Sequence, residues 1–146
     1  MAKLELLAPA GDMECLKTAF KFGADAVYIG GPFMQLRSKV TGFTLEDIAE
    51  AVKYAHSMNK KLYVTVNSFA KDQEFKNIVE YGKKLNEINV DAVIVSDLGV
   101  ISVLRSQVPD LEIHVSTQAN CQNAFAAKVY HDLGVKRIVL AREVNL

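Results

Sequence analysis

Six short apolar runs, each closed by a polar or glycine-containing turn and followed by a helical stretch, confine this sequence to the α/β class. The runs begin near Leu4, Asp25, Lys61, Asp91, Glu112 and Lys136. Their spacings of 21, 36, 30, 21 and 24 residues are each the length of one strand plus one helix. Runs such as Asp91-Ala92-Val93-Ile94-Val95 do not alternate with polar residues, so both strand faces are expected to be covered, as in parallel sheets. Right-handed crossovers then curl successive units the same way.

The intervening stretches read as helices with recognisable starts. Leu4 to Leu7 is the first strand, and Ala8-Pro9-Ala10-Gly11 is expected to break it, because proline cannot continue a central strand. Asp12 then caps a helix with Leu16, Ala19 and Phe20 inside, ended by Gly23. Thr44 and Asp47 stand at capping-box spacing ahead of the stripe Leu45, Ile48, Ala49, Val52 and Ala55. Asp72 is the expected cap of a third helix facing inward through Phe75, Ile78, Val79, Leu85 and Ile88. The fourth carries Val100, Ile101, Val103 and Leu104 and stops before Pro109. The fifth starts near Asn120 or Cys121 and is expected to bury Phe125, Ala126, Val129 and Leu133.

An open doubly wound sheet and part of an eight-stranded barrel both satisfy this order. No G-x-G-x-x-G follows the first strand and no P-loop occurs, which weakens the nucleotide-binding sheet. A polar group after each strand favours a (β/α) parallel barrel of TIM type. Eight units need about 250 residues, so the 146 residues read as about six βα units of a truncated barrel domain spanning 1–146.

In such a barrel the strand tips gather on one rim about 15 Å across, estimated from strand spacing. Pro9 and Gly11, Gly30 and Gly31, Asn67, Ser96 and Asp97, Ser116 through Asn120 (with Thr117 and Gln118 between), Arg142 and Glu143 make up that rim. Each carries an ordinary reading too. Ser116, Asn120 and Asp97 suit helix caps, Asn67 could satisfy loop backbone, and Arg142 could pair with Glu143 or Asp97 instead of a carboxylate or phosphate. Arg37, in the long loop from Pro32 to Phe43, is a candidate for closing over an anion, or simply a surface residue.

No histidine falls on the rim: His56 and His131 sit late in helices and His114 lies within a strand. Ser96 and Ser116 therefore lack a base, and Asp97 with Glu143 is too small a set for a metal site. Cys15 and Cys121 have no metal-like spacing, and a reduced, cytoplasmic setting fits them. Lysine plus arginine equals aspartate plus glutamate at 17 each, so no large nucleic-acid surface is expected, although a local basic cleft is compatible with that balance. No run approaches 18 apolar residues, and Met-Ala-Lys-Leu-Glu is no signal peptide.

Leu6-Leu7-Ala8-Pro9-Ala10-Gly11, Gly23-Ala24-Asp25-Ala26-Val27-Tyr28 with Gly30-Gly31, and Leu36-Arg37 resemble the amino-terminal pattern of peptidase family U32, the collagenase-like proteases. Tyr63-Val64-Thr65-Val66-Asn67, Val95-Ser96-Asp97-x-Gly99, Ser116-Thr117-Gln118-Ala119-Asn120 and Ala141-Arg142-Glu143 continue the resemblance in order over the whole chain. It implies a barrel-like domain within a longer protein, and two activities. Some members are described as metal-stimulated peptidases acting on collagen-like substrates. Others support oxygen-independent hydroxylation of tRNA uridine, ribosomal RNA cytidine or a ubiquinone precursor. The Leu36-Arg37-x-Lys39 loop looks most like the tRNA group.

In several members, cysteines downstream of the Ala-Arg-Glu block bind an iron–sulfur cluster. Neither Cys15 nor Cys121 matches those positions, so a cluster or a divalent metal is expected only in the full-length protein. Three functions are therefore expected in order: part of a tRNA-hydroxylating enzyme, part of a peptidase, or an inactive assembly unit that self-associates through uncovered apolar faces.

Overall fold

Side-chain caps set where the helices begin, and hence which face each turns to the sheet. The computed structural model describes residues 4–36 and 42–145. Asp12 accepts from the Cys15 amide at 2.7 Å and opens α1 (Met13–Lys21). Thr44 and Asp47 form the reciprocal box that opens α2 (Leu45–Ser57). Asp97 accepts from the Val100 amide at 3.0 Å and opens α4 (Leu98–Gln107). α3 (Phe75–Glu87) departs from expectation: Asp72 begins a 3₁₀ turn over Asp72–Glu74, whose entry is capped by Glu74 accepting from the Lys71 amide at 2.7 Å.

The strands are β1 (Leu7–Ala10), β2 (Ala26–Gly30), β3 (Lys61–Val66), β4 (Ala92–Val95), β5 (Ile113–Val115) and β6 (Arg137–Ile138). All pair in parallel in sequence order, and the sheet curls into a half-barrel with the helices outside. β1 runs through Pro9 rather than stopping before it. Among the described residues β1 pairs with β2 alone, and an edge strand tolerates the missing N–H.

Two aspartates fix the register. Asp25 accepts from the Leu6 amide at 3.0 Å, and Asp91 accepts from the Leu62 amide at 2.8 Å. Each also meets a basic side chain, Lys60 at 3.4 Å and His56 at 2.9 Å respectively. The repeated Asp-Ala-Val at 25–27 and 91–93 is therefore one device used twice: a carboxylate at a strand start that grips the preceding strand.

Outward side chains (Val27, Ile29, Leu62, Val64, Val93, Val95, Ile113 and Val115) pack under the helices in the main core. Inward ones make a smaller cluster of Ala26, Tyr63, Ala92 and Ile94, with Leu7 and Tyr28 against it. α5 (Ala124–Asp132) differs most from expectation. It is capped by Asn123, whose side chain accepts from the Ala126 amide at 2.9 Å, after a 3₁₀ turn at Thr117–Ala119 and a left-handed Asn120. The later start turns a different face inward. Tyr130 and Leu133 pack on the core, while Phe125 and Val129 are 86% and 56% exposed.

At the N-terminal end of the strands a polar knot crosses the interior. Glu5 accepts from both terminal nitrogens of Arg137, Nη2 at 3.3 Å, and from the Tyr63 hydroxyl at 3.0 Å. Arg137 also lies 5.6 Å from the Tyr63 ring centre, and the His114 ring meets that tyrosine edge-on at 4.7 Å. Following the ladder from Arg137 through His114, Ile94 and Thr65 to Gly30 leads on to the level of Gly11. Arg137 instead grips Glu5, six residues nearer the N-terminus. That offset of about one residue per strand is the slope of an eight-stranded barrel with shear 8.

Burial alone would push the Glu5 carboxyl up, but the hydrogen bonds from Arg137 and Tyr63 and the guanidinium charge win and hold it below its ordinary value of 4.5. A depressed carboxyl contributes its stability above the ordinary value and loses it as pH falls through the folded one. Glu5→Gln should therefore cost about 1–2 kcal/mol at pH 7, a figure reduced for the partly exposed Arg137. Urea midpoints of the two proteins should draw together as pH falls from 4.5 through the lowered folded value. A gap that does not narrow at all under acid, up to the point where both proteins unfold, would show that the pair is not what the variant removes.

Candidate functional site at the carboxyl ends of the strands

Opposite the knot, the strand tips enclose a cavity of about 390 Å³, within the size range of small-ligand sites. Gly30, Asn67, Ser116, Thr117, Gln118 and Arg142 line it, as do Pro9 and Gly11. Tyr28, Thr65 and Ile94 form its wall nearer the knot. They are the inward residues found by stepping back two at a time along the strands from Gly30, Asn67 and Ser96. The uniformly apolar runs give no sign of which parity faces inward, so these three read as ordinary core in the sequence.

Several expected rim residues do other work. Gly31 seats Tyr81, whose hydroxyl would lie 1.9 Å from any Cβ added there. That hydroxyl is buried without a partner among the described residues, and burial pushes its pKa well up. The Asp97 carboxylate caps α4 and also accepts from the Ala70 amide at 3.2 Å. Asn120 takes the left-handed turn (φ 55°) and accepts from the Gln122 side chain at 2.7 Å. Glu143 is exposed and outside the cavity wall. Ser96 is buried between the register positions of Asn67 and Ser116, its hydroxyl unpartnered among the described residues. Arg37 lies outside the described residues.

Arg142 carries the site's charge. It pairs with neither Glu143 nor Asp97 and makes no ion pair among the described residues, so its exposed guanidinium is open to an anion. The other polar groups are neutral. Ser116 accepts from the Gln118 amide at 3.3 Å, and Thr65 donates to the Ile29 carbonyl at 3.2 Å. His114, the histidine on an inward strand position, bonds Glu112 at 2.8 Å. Burial lowers its pKa, against the opposing pull of Glu112.

Asn67 holds the loop after β2. Its Oδ1 accepts from the Leu36 amide at 3.2 Å, while the Ser68 amide donates to the Met34 carbonyl at 3.0 Å. The two cysteines stand on separate elements, Cys15 exposed and Cys121 buried. Among the described residues no three His, Cys, Asp or Glu side chains gather to hold a metal. No helix among the described residues is long and apolar enough to cross a membrane.

The model of the family described as Peptidase family U32 matches residues 11–146. A tRNA hydroxylation protein P of Helicobacter pylori is 45% identical over all of this chain and 35% of its own length. A 23S rRNA 5-hydroxycytidine synthase of Escherichia coli is 41% identical over 99% of the chain and 21% of its own length. A Porphyromonas gingivalis collagenase is 32% identical over 97% of the chain and 34% of its own length. Among solved structures, a U32 peptidase superposes with a TM-score of 0.74 at 16% identity, covering 96% of this chain and 59% of that one, a likeness of fold. The chain thus spans about a third of the first relative.

Asn67→Ala removes the acceptor for the Leu36 amide. Hydrogen exchange at that amide should speed up about fivefold, the worth of roughly 1 kcal/mol. Unchanged exchange would show that the loop does not depend on Asn67.

Proposed function

The chain belongs to peptidase family U32, and from that premise we propose that it supplies one wall of the substrate cavity in a protein that hydroxylates tRNA without molecular oxygen. The observation that carries this reading is the make-up of the cavity: neutral hydrogen-bonding side chains around one unpaired guanidinium. Such a set recognises an RNA nucleotide, since arginine takes the phosphate and hydroxyl and amide groups take sugar and base. Among the described residues it has no nucleophile–base pair of the kind a self-contained peptidase uses. Greater likeness to the tRNA hydroxylation protein than to the collagenase supports the same choice. Any iron–sulfur cluster or divalent metal of the full-length protein is held, on this reading, by residues outside this chain.

The peptidase remains the second reading, favoured by the collagenase likeness. A third role, assembly, rests on the exposed Phe125 and Val129 of α5 and on Leu98 at the start of α4, exposed by 55%. The chain alone should self-associate through them, and light scattering that reports a monomer at high concentration would count against that role.

Restoring the full-length protein to cells lacking it should restore hydroxylated uridine in tRNA, measured by mass spectrometry of nucleosides. Arg142→Ala should weaken RNA binding about three- to tenfold and lower the salt slope by about one. Unmodified tRNA with the wild-type protein present, together with gelatin cleavage abolished by Asn67→Ala, would install the peptidase instead.

A further inference from the structure

Among the described residues, Ser96 is the strand-tip side chain that is both buried and unbonded: it is 4% exposed and its Oγ has no hydrogen-bond partner. It has the inward parity of Ile94, two residues earlier, which lines the cavity. Val66, Val95 and Val115 are register partners on β3, β4 and β5, so Asn67, Ser96 and Ser116 follow as a row one step on. The Ser116 amide donates to the Val95 carbonyl at 2.8 Å and carries the ladder to that level. Neighbouring strands stand about 4.8 Å apart, which puts the three side chains within reach of one atom. The outer two each have one group committed. Asn67 Oδ1 accepts from the Leu36 amide, and its Nδ2 donors are unspent among the described residues. Ser116 Oγ accepts from the Gln118 amide, and its hydroxyl hydrogen is likewise unspent. What the row has left is therefore donors. An unbonded buried hydroxyl destabilises the empty fold, and native proteins keep few of them without a use.

We propose that Asn67, Ser96 and Ser116 hold a single anionic oxygen, from the carboxylate or phosphate of a ligand seated in the cavity, with Ser96 at the centre. Three donors converging on one oxygen suit negative charge in a site closed to water. A water molecule fits worse, because both of its hydrogens would face groups that are themselves donors. Countercharge comes from Arg142 on the same cavity wall, and among the described residues no carboxylate lines that wall. The level beneath does not compete, since Thr65 gives its hydroxyl hydrogen to the Ile29 carbonyl. Rotation of the short Ser116 side chain between staggered positions is the movement that admits an oxygen to the Ser96 hydroxyl. The anion is a small free acid or the phosphate of a larger molecule, and the subsite holds it whichever activity the full-length protein has.

The test reads amide chemical shifts of the full-length protein as inorganic phosphate or acetate is added. Wild type should show saturable shifts at Asn67, Ser96 and Ser116 with either anion. Ser96→Ala should raise the dissociation constant about tenfold, the loss of one hydrogen bond to a charged group. Ser96→Cys, close in size but a weak donor, should do the same. Both variants should melt at or above the wild-type temperature, because the hydroxyl they remove is unbonded in the empty fold. A single-stranded RNA oligonucleotide then separates the sources: displacement of bound phosphate assigns the subsite to a phosphate of the nucleic acid, and phosphate that stays bound assigns it to a small free anion. Wild-type shifts absent from the row, or anion affinity unchanged in both variants, would overturn the proposal. Lower melting with unchanged affinity would make Ser96 a packing residue and overturn it too. No RNA enters the first titration, so these outcomes leave the RNA reading to its own test.

Discussion

The contact between Glu5 and Arg137 joins residues 132 apart in sequence and closes the N-terminal end of a six-stranded arc. Without it the sheet has two free edges, β1 and β6, and nothing in the ladder requires them to face each other. With it, the tilt accumulated along five strand pairings brings the opposite strand ends round a single mouth. Tyr63 and His114 fill the space between, so the interior beneath the site is packed rather than open. The charge pair and the cavity are two ends of one geometry.

That geometry explains the division of labour along each strand. Outward valines and isoleucines hold the helices; inward residues change character from charged at one end, through Tyr63, Ala92 and Ile94, to hydroxyl and amide groups at the other. The helix caps and the rim draw on the same residue types. Asp97 is consumed in capping α4 and bracing Ala70, while Arg142, beyond the last strand, stays free. What the described residues of the mouth offer a ligand is therefore largely neutral, with one cation among them at its edge.

Much of this was legible in the residues themselves. Local signals worked where the cause is local: Asp12, Thr44 with Asp47, and Asp97 cap the helices they precede, and the parallel order follows from the spacing of the runs. The reading broke where long-range context decides. Pro9 lies inside β1, which among the described residues pairs on one side alone, a fact of topology rather than of proline. The inner face of α5 turned on a left-handed Asn120, which delays the helix and exposes Phe125. The echo of Asp25 and Asp91 was visible, but not that each carboxylate grips a neighbouring strand.

The account rests on tips from distant parts of the chain sharing one ligand. Amide chemical shifts recorded as a uridine-containing single-stranded RNA oligonucleotide is titrated into the protein test this most directly. Simultaneous changes at Gly30, Asn67, Ser116 to Gln118 and Arg142, saturating at one concentration, are the result the curled arrangement predicts. Changes confined to the outer groove between α1 and α2, at Lys17, Lys21 and Tyr54, with the strand tips silent, would contradict it.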